Sequence, residues 1–188
     1  MFKLIFKLGK WKITNYLPDN IKKCVIVAAP HTSNWDFVYG MGALKIMKLK
    51  LRFTIKKEWM KFPFKRIMAS LGALPNDRNA IKTGEKKGSV DAIAELFTIH
   101  DKLHLMVTPE GTRAKMEKWK TGFYYIALKA KVPIALGFMD YKRRTCGIDK
   151  IIYPSGDFKL DMKLIMDFYK NIGAKYPQNF STDIELAQ

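Results

Sequence analysis

The stretch VIVAAPHTSNWDF, Val25 to Phe37, decides how this chain is expected to fold. It begins as an apolar run without polar alternation, which is typical of a strand buried on both faces of a parallel sheet. Pro30 stops the run, His31 follows at once, and from Asp36 the pattern becomes helical towards Met47. A buried strand that leads through a short polar loop into a helix is a building unit of α/β folds.

The rest of the chain repeats this alternation. Strands are predicted at 24–29, 52–56, 103–108 and 133–139, helices at 36–47, 59–72, from 89, at 121–130 and at about 161–174, and a candidate hairpin at 146–154. The length of 188 residues fits one domain of ordinary size. The sequence therefore predicts a single α/β domain with a mostly parallel central sheet flanked by helices.

The first residues form a separate pattern. In helical projection, Lys3, Lys7 and Lys10 form one stripe of MFKLIFKLGKWKI (1–13), and apolar side chains cover most of the remaining circumference. This pattern is typical of a helix at the surface of a bilayer, and a first helix docked on the core has the same appearance. We predict a membrane-surface segment at 1–20 ahead of a main domain at 21–188, and no apolar run approaches the roughly 18–20 residues of a membrane span.

The charge balance is strongly basic. Lys and Arg number 34 against 17 Asp and Glu, a formal net charge of +17. Such an excess suits an anionic membrane surface, phosphorylated substrates or nucleic acid, and the predominance of Lys over Arg favours a membrane surface. The two cysteines belong to no CxxC pair, which favours a reducing cytoplasm over a disulfide framework.

His31 and Asp36 are the first candidates for chemistry. A neutral imidazole accepts a proton near physiological pH, and a carboxylate on its other ring nitrogen holds the tautomer that this requires. The pair is thus a candidate for a general base that deprotonates a hydroxyl. An ordinary histidine at a strand end is the alternative.

A second polar cluster, VTPEGTR (Val107–Arg113), also follows a predicted strand. Glu110 and Arg113 carry opposite charges, Gly111 allows a sharp turn, and Arg78 places another cation after a further strand. Because ligand sites of such sheets gather beyond the carboxyl ends of the strands, we expect the His31 and Arg113 loops to meet. A turn with a surface ion pair is the alternative reading of this cluster.

Four blocks occur in a specific order along the chain. They are HTSNWD (31–36), GALPNDR (72–78), PEGTR (109–113) and VPI (132–134). In this order and at these separations, over about residues 24–138, the chain resembles the glycerolipid acyltransferase family, whose members include 1-acylglycerol-3-phosphate acyltransferases.

The resemblance implies a role for each matching residue. His31 matches the family's general base, Asp36 matches the carboxylate that orients it, and Arg78 matches an arginine that contacts the phosphate of the acceptor. The third block, tied to acceptor binding, is matched by Glu110, Gly111, Thr112 and Arg113. LPND stands where an aromatic–aliphatic pair is common in the second block.

The resemblance further implies transfer of a fatty acyl group from acyl-CoA or acyl carrier protein to a lysolipid hydroxyl, within an acyltransferase domain at 21–188. No cofactor or metal is expected, since His100 and His104 lack a third ligand, and backbone N–H groups near Gly111 are candidate donors to the oxyanion. We expect a cytoplasmic protein bound peripherally to the inner face of the cell membrane and no nucleic-acid partner. A lyso-amino-acid lipid as acceptor, a thioester hydrolase and a basic nucleic-acid-binding protein are the alternatives.

Overall fold

The computed structural model describes residues 1–56, 66, 72–76 and 88–182, so that Arg78 and most of the predicted helix over 59–72 lie outside the described residues. The described helices are α1 (Phe2–Leu8), α2 (Asn34–Ile46), α3 (Ser89–Ile99), α4 (Gly122–Ala130), α5 (Phe158–Tyr169) and a 3₁₀ turn (Pro177–Asn179). The strands are β1 (Lys12–Asn15), β2 (Lys23–Ala29), β3 (Leu51–Lys56), β4 (Ala73–Asn76), β5 (Leu103–Val107), β6 (Ile134–Asp140) and β7 (Thr145–Ile152).

The strands form one seven-stranded sheet in the order β1-β7-β6-β2-β5-β3-β4. Within the described part of the chain, neighbouring strands are parallel except β6 and β7, which run antiparallel. The predicted α/β domain with a mostly parallel sheet is therefore confirmed. The hairpin expected within 146–154 is wrong: β7 is one continuous strand, and its hairpin partner is β6, because the preceding residues 141–144 make the turn.

The central strand β2 is buried on both sides of the sheet. Val25 and Val27 face a core shared with α3, α4 and α5, whereas Cys24 and Ile26 face a core shared with α2. All four side chains are fully buried. This explains why the stretch lacks polar alternation, and it places the end of β2 in the middle of the sheet edge.

The N-terminal helix is shorter than its sequence pattern predicts. It ends at Gly9, and Lys12–Asn15 then join the sheet as β1 beside β7. Phe6 is buried against α2, where Gly42 permits the close approach, since a Cβ there would lie 2.7 Å from the Phe6 Cβ. Leu8 is 73% exposed. Membrane contact by residues 1–20 stays a prediction; in the ranges described, every helix is too short or too polar to span a bilayer.

Candidate active site

The candidate site lies where three parallel strands end side by side. β2 pairs with β5 on one side and with β6 on the other. His31 follows β2, Glu110 follows β5, and Tyr141 follows β6. The His31 and Arg113 loops, which we expect from the sequence to meet, therefore lie at the same edge of the sheet.

The first turn of α2 brings Asp36 back beneath His31. Ser33 caps the helix, and the Asp36 carboxylate completes a capping box in which Oδ2 accepts hydrogen bonds of 2.8 Å from the backbone N–H groups of Thr32 and Ser33. The same Oδ2 lies 3.4 Å from Nδ1 of His31. Contact at Nδ1 leaves Nε2 as the ring nitrogen that can exchange a proton with a substrate.

The second oxygen of Asp36 has a partner that sequence reasoning missed. The Tyr141 hydroxyl donates a 2.6 Å hydrogen bond to Oδ1. Burial and this bond to Asp36 raise the pKa of Tyr141, so that the hydroxyl remains a donor. The two residues are 105 positions apart, and only the pairing of β2 with β6 brings them together.

Glu110 anchors the His31 loop through a hydrogen bond to its backbone. Its Oε1 accepts a 2.8 Å hydrogen bond from the backbone N–H of His31, and the residue is only 3% exposed. Burial raises the pKa of Glu110, and the bond from His31 partly offsets that effect. The carboxylate that the resemblance ties to acceptor binding thus contacts the protein's own backbone.

The remainder of the PEGTR loop presents positive charge. Gly111 has φ +64°, and a Cβ at this position would collide with the Lys120 side chain, whose Cε would be 2.9 Å away. His31, Arg113 and Lys120 all line one cavity of about 1220 Å³. Lys120 is a second residue that sequence reasoning missed; its only signal is its position just before α4.

The other predicted site residues are placed as follows. The Gly111 N–H donates to the Thr108 carbonyl within the turn, at 3.1 Å, so this group is engaged and not directed at an oxyanion. Thr112 is exposed, and its hydroxyl accepts a 3.4 Å hydrogen bond from the Ala114 N–H. Arg78 lies outside the described residues.

Three further side chains that could react, His104, Cys24 and Cys146, are buried. His104 is buried, with Nε2 3.0 Å from the Ile21 carbonyl, and burial lowers its pKa. Burial raises the pKa of both Cys24 and Cys146 to about 12, which makes them poor nucleophiles. Over the described ranges, no group of three or more His, Cys, Asp or Glu side chains is placed to hold a metal ion.

Comparisons with known proteins agree with this architecture. A family model described as Acyltransferase matches residues 11–135. Among solved structures, the 1-acyl-sn-glycerophosphate acyltransferase PlsC from Thermotoga maritima is similar, with a TM-score of 0.57 and 20% sequence identity over 90% of this chain and 76% of that chain. No curated protein matches the chain.

Because the family model spans more than half of the chain, the chain belongs to the acyltransferase family. The resemblance predicted from the four sequence blocks is thereby confirmed, and the protein is an acyltransferase. The structural similarity to PlsC adds that the fold is the same over most of the chain.

Proposed function

We propose that this acyltransferase moves a fatty acyl group from a thioester to the hydroxyl of a lysolipid, with His31 as the general base. The observation that carries the proposal is the contact between His31 Nδ1 and Asp36 Oδ2 at the end of the central strand, beside a cavity that Arg113 and Lys120 also line. A 1-acylglycerol-3-phosphate is the acceptor that the cations of this cavity suit best.

The chemistry begins at the free nitrogen of His31. Nε2 takes the proton of the acceptor hydroxyl while its oxygen attacks the thioester carbonyl, and Asp36 stabilises the imidazolium that forms. The tetrahedral intermediate then collapses, the C–S bond breaks, and the thiolate recovers the proton from His31. The products are an ester and a free thiol, so that the thioester is a co-substrate and no cofactor is consumed.

Arg113 and Lys120 are suited to the phosphate of the acceptor. Both line the cavity that His31 lines, and the absence of a side chain at Gly111 gives Lys120 the space to lie across the loop. A guanidinium can bind a phosphate with two parallel hydrogen bonds, and an ammonium adds a compact charge. Phe37 and Met41 belong to the same cavity and offer apolar surface to an acyl chain.

In this proposal α1 contacts the membrane that supplies the acceptor. Leu4 and Leu8 lie one helical turn apart on α1 and are 61% and 73% exposed, with exposed Lys3 and Lys7 on the same short helix. Apolar side chains flanked by lysines suit the anionic inner face of the cell membrane, from which a lysolipid would enter. The formal net charge of +17 also suits the phosphates of acyl-CoA or an acidic acyl carrier protein.

The test is a product analysis with purified protein. A panel of lysolipids, including 1-acylglycerol-3-phosphate and lyso-amino-acid lipids, is incubated with labelled acyl-CoA or acyl carrier protein, and the products are identified by mass spectrometry. Label in a diacyl product supports the proposal. Label recovered only as free fatty acid would instead identify a thioester hydrolase.

Two variants assign the chemistry to the histidine. His31→Ala is expected to abolish transfer, whereas His100→Ala, which changes an exposed histidine at the end of α3, is expected to retain it. Both variants should melt near the wild-type temperature. Transfer by His31→Ala at the wild-type rate would refute the proposed base.

A further inference from the structure

The two oxygens of the Asp36 carboxylate have different partners. Oδ2 is shared between the backbone N–H groups of the α2 cap and the His31 ring. Oδ1 accepts the Tyr141 hydroxyl at 2.6 Å. A carboxylate turns readily about its last side-chain bond, so the donor at Oδ1 fixes the direction of Oδ2 together with the two backbone N–H groups.

Tyr141 is itself held firmly enough to act as such a donor. Its ring meets Trp11 edge to face, with centroids 4.9 Å apart and planes at 90°, and the centroid of the Tyr39 ring lies 6.4 Å away. The Lys175 ammonium lies 5.9 Å from the ring centroid. The backbone N–H of Tyr141 donates to the Gly173 carbonyl at 2.8 Å. The hydroxyl therefore has a fixed direction before substrate arrives.

We propose that Tyr141 is a positioning residue of the acyl transfer: its hydroxyl holds the Asp36 carboxylate so that Oδ2 faces Nδ1 of His31. The proposal rests on the proposed role of His31 as general base. Tyr141 touches no reacting atom in this account. It acts on the rate only through the orientation of Asp36 and, from there, of the imidazole.

The test compares three Tyr→Phe variants, each of which removes one hydroxyl. Tyr141→Phe is expected to lower kcat between about 10-fold and 100-fold, the scale of losses from a misplaced catalytic group, while KM for both substrates stays unchanged. Tyr39→Phe keeps the ring that packs on Tyr141 and is expected to leave kcat unchanged.

Tyr169→Phe controls for a loss of stability. The buried Tyr169 hydroxyl donates to the Val27 and Gly137 carbonyls, at 2.9 and 3.0 Å, and not to Asp36. This variant is expected to melt at a lower temperature and yet retain kcat when the rate is normalised to folded protein. Thermal melting of all three variants supplies that normalisation.

The outcomes separate this inference from the proposed function. A wild-type kcat in Tyr141→Phe, or an equal fall in Tyr39→Phe or Tyr169→Phe, would overturn the positioning role. If Tyr141→Phe loses activity only through a raised KM, at unchanged kcat, the positioning role is overturned as well. If His31→Ala retains transfer, the proposed function fails; if His31→Ala is inactive and Tyr141→Phe is not impaired, only the positioning role fails.

Discussion

Glu110 offers a perturbation that separates two possible uses of the same carboxylate. The structure places Oε1 2.8 Å from the His31 backbone nitrogen, in a site that is 3% exposed. Glu110→Gln keeps an acceptor of the same shape at that nitrogen, whereas Glu110→Ala removes it. If Glu110 anchors the His31 loop, the two variants should behave very differently.

The expected magnitudes follow from the burial of that hydrogen bond. In Glu110→Ala, the His31 N–H loses its acceptor, which costs about 1–3 kcal/mol of the free energy of unfolding. The loop then relaxes, and a displacement of the imidazole by about 1 Å lowers kcat on the order of 100-fold. Glu110→Gln should stay within about 10-fold of the wild-type kcat, since the loop retains its anchor.

The assay combines urea denaturation with steady-state kinetics at varied lysolipid concentration. Anchoring predicts that Glu110→Ala lowers kcat and leaves KM for the acceptor unchanged. Acceptor binding by Glu110, which the family resemblance implies, would instead raise KM in both variants at constant kcat. That second pattern would refute the anchoring role.

The ionisation of Glu110 gives the same residue a pH signature. Because its pKa in the folded protein is raised above the ordinary value of 4.5, the folded state binds more protons than the unfolded state just above pH 4.5. This group therefore makes the free energy of unfolding fall as pH rises from 4.5 towards its folded pKa. The slope should be absent in Glu110→Gln.

The other predictions concern packing, acid stability and substrate affinity. Gly42→Ala should cost about 1–3 kcal/mol by overpacking against the N-terminal helix, whereas Gly40→Ala, where a Cβ would have an ordinary 3.9 Å contact, should not; urea denaturation compares them. His104 is held neutral by burial, so its contribution to stability should decline as pH falls below 6.5, and His104→Gln should reduce that decline in thermal melts. Arg113→Ala and Lys120→Ala should each raise KM for a phosphate-bearing lysolipid by a larger factor than KM for an uncharged one, as steady-state kinetics would show; the same fold change in KM for both acceptors would contradict the phosphate role.

Much of the fold was predictable because the strongest signals are local. The uninterrupted apolar run before Pro30 predicted a doubly buried strand, and the structure places β2 in the centre of the sheet. Strands that end in polar loops predicted a common edge. The parallel pairing of β2 with β5 brings His31 and Glu110 together there, through a 2.8 Å hydrogen bond.

The features that the sequence does not predict depend on contacts between segments far apart in the chain. Nothing in the sequence around Tyr141 indicates that its hydroxyl reaches Asp36, because the pairing of β6 with β2 sets that contact. The direction of the Glu110 carboxylate is likewise invisible in PEGTR, where charge suggests exposure to a ligand. The helical pattern of residues 1–13 includes Lys12 and Ile13, but in the structure both pair with the edge of β7, because tertiary pairing outweighs a weak local pattern.

The central claim is that an imidazole at position 31 removes the proton of the acceptor hydroxyl. Its most direct measurement is the single-turnover rate of labelled acyl transfer to 1-acylglycerol-3-phosphate, with wild-type protein and with folded His31→Ala at matched concentration. The account predicts a rate at least about 100-fold lower in the variant, as expected for loss of a general base. A folded His31→Ala protein that forms the diacyl product at the wild-type rate would contradict it.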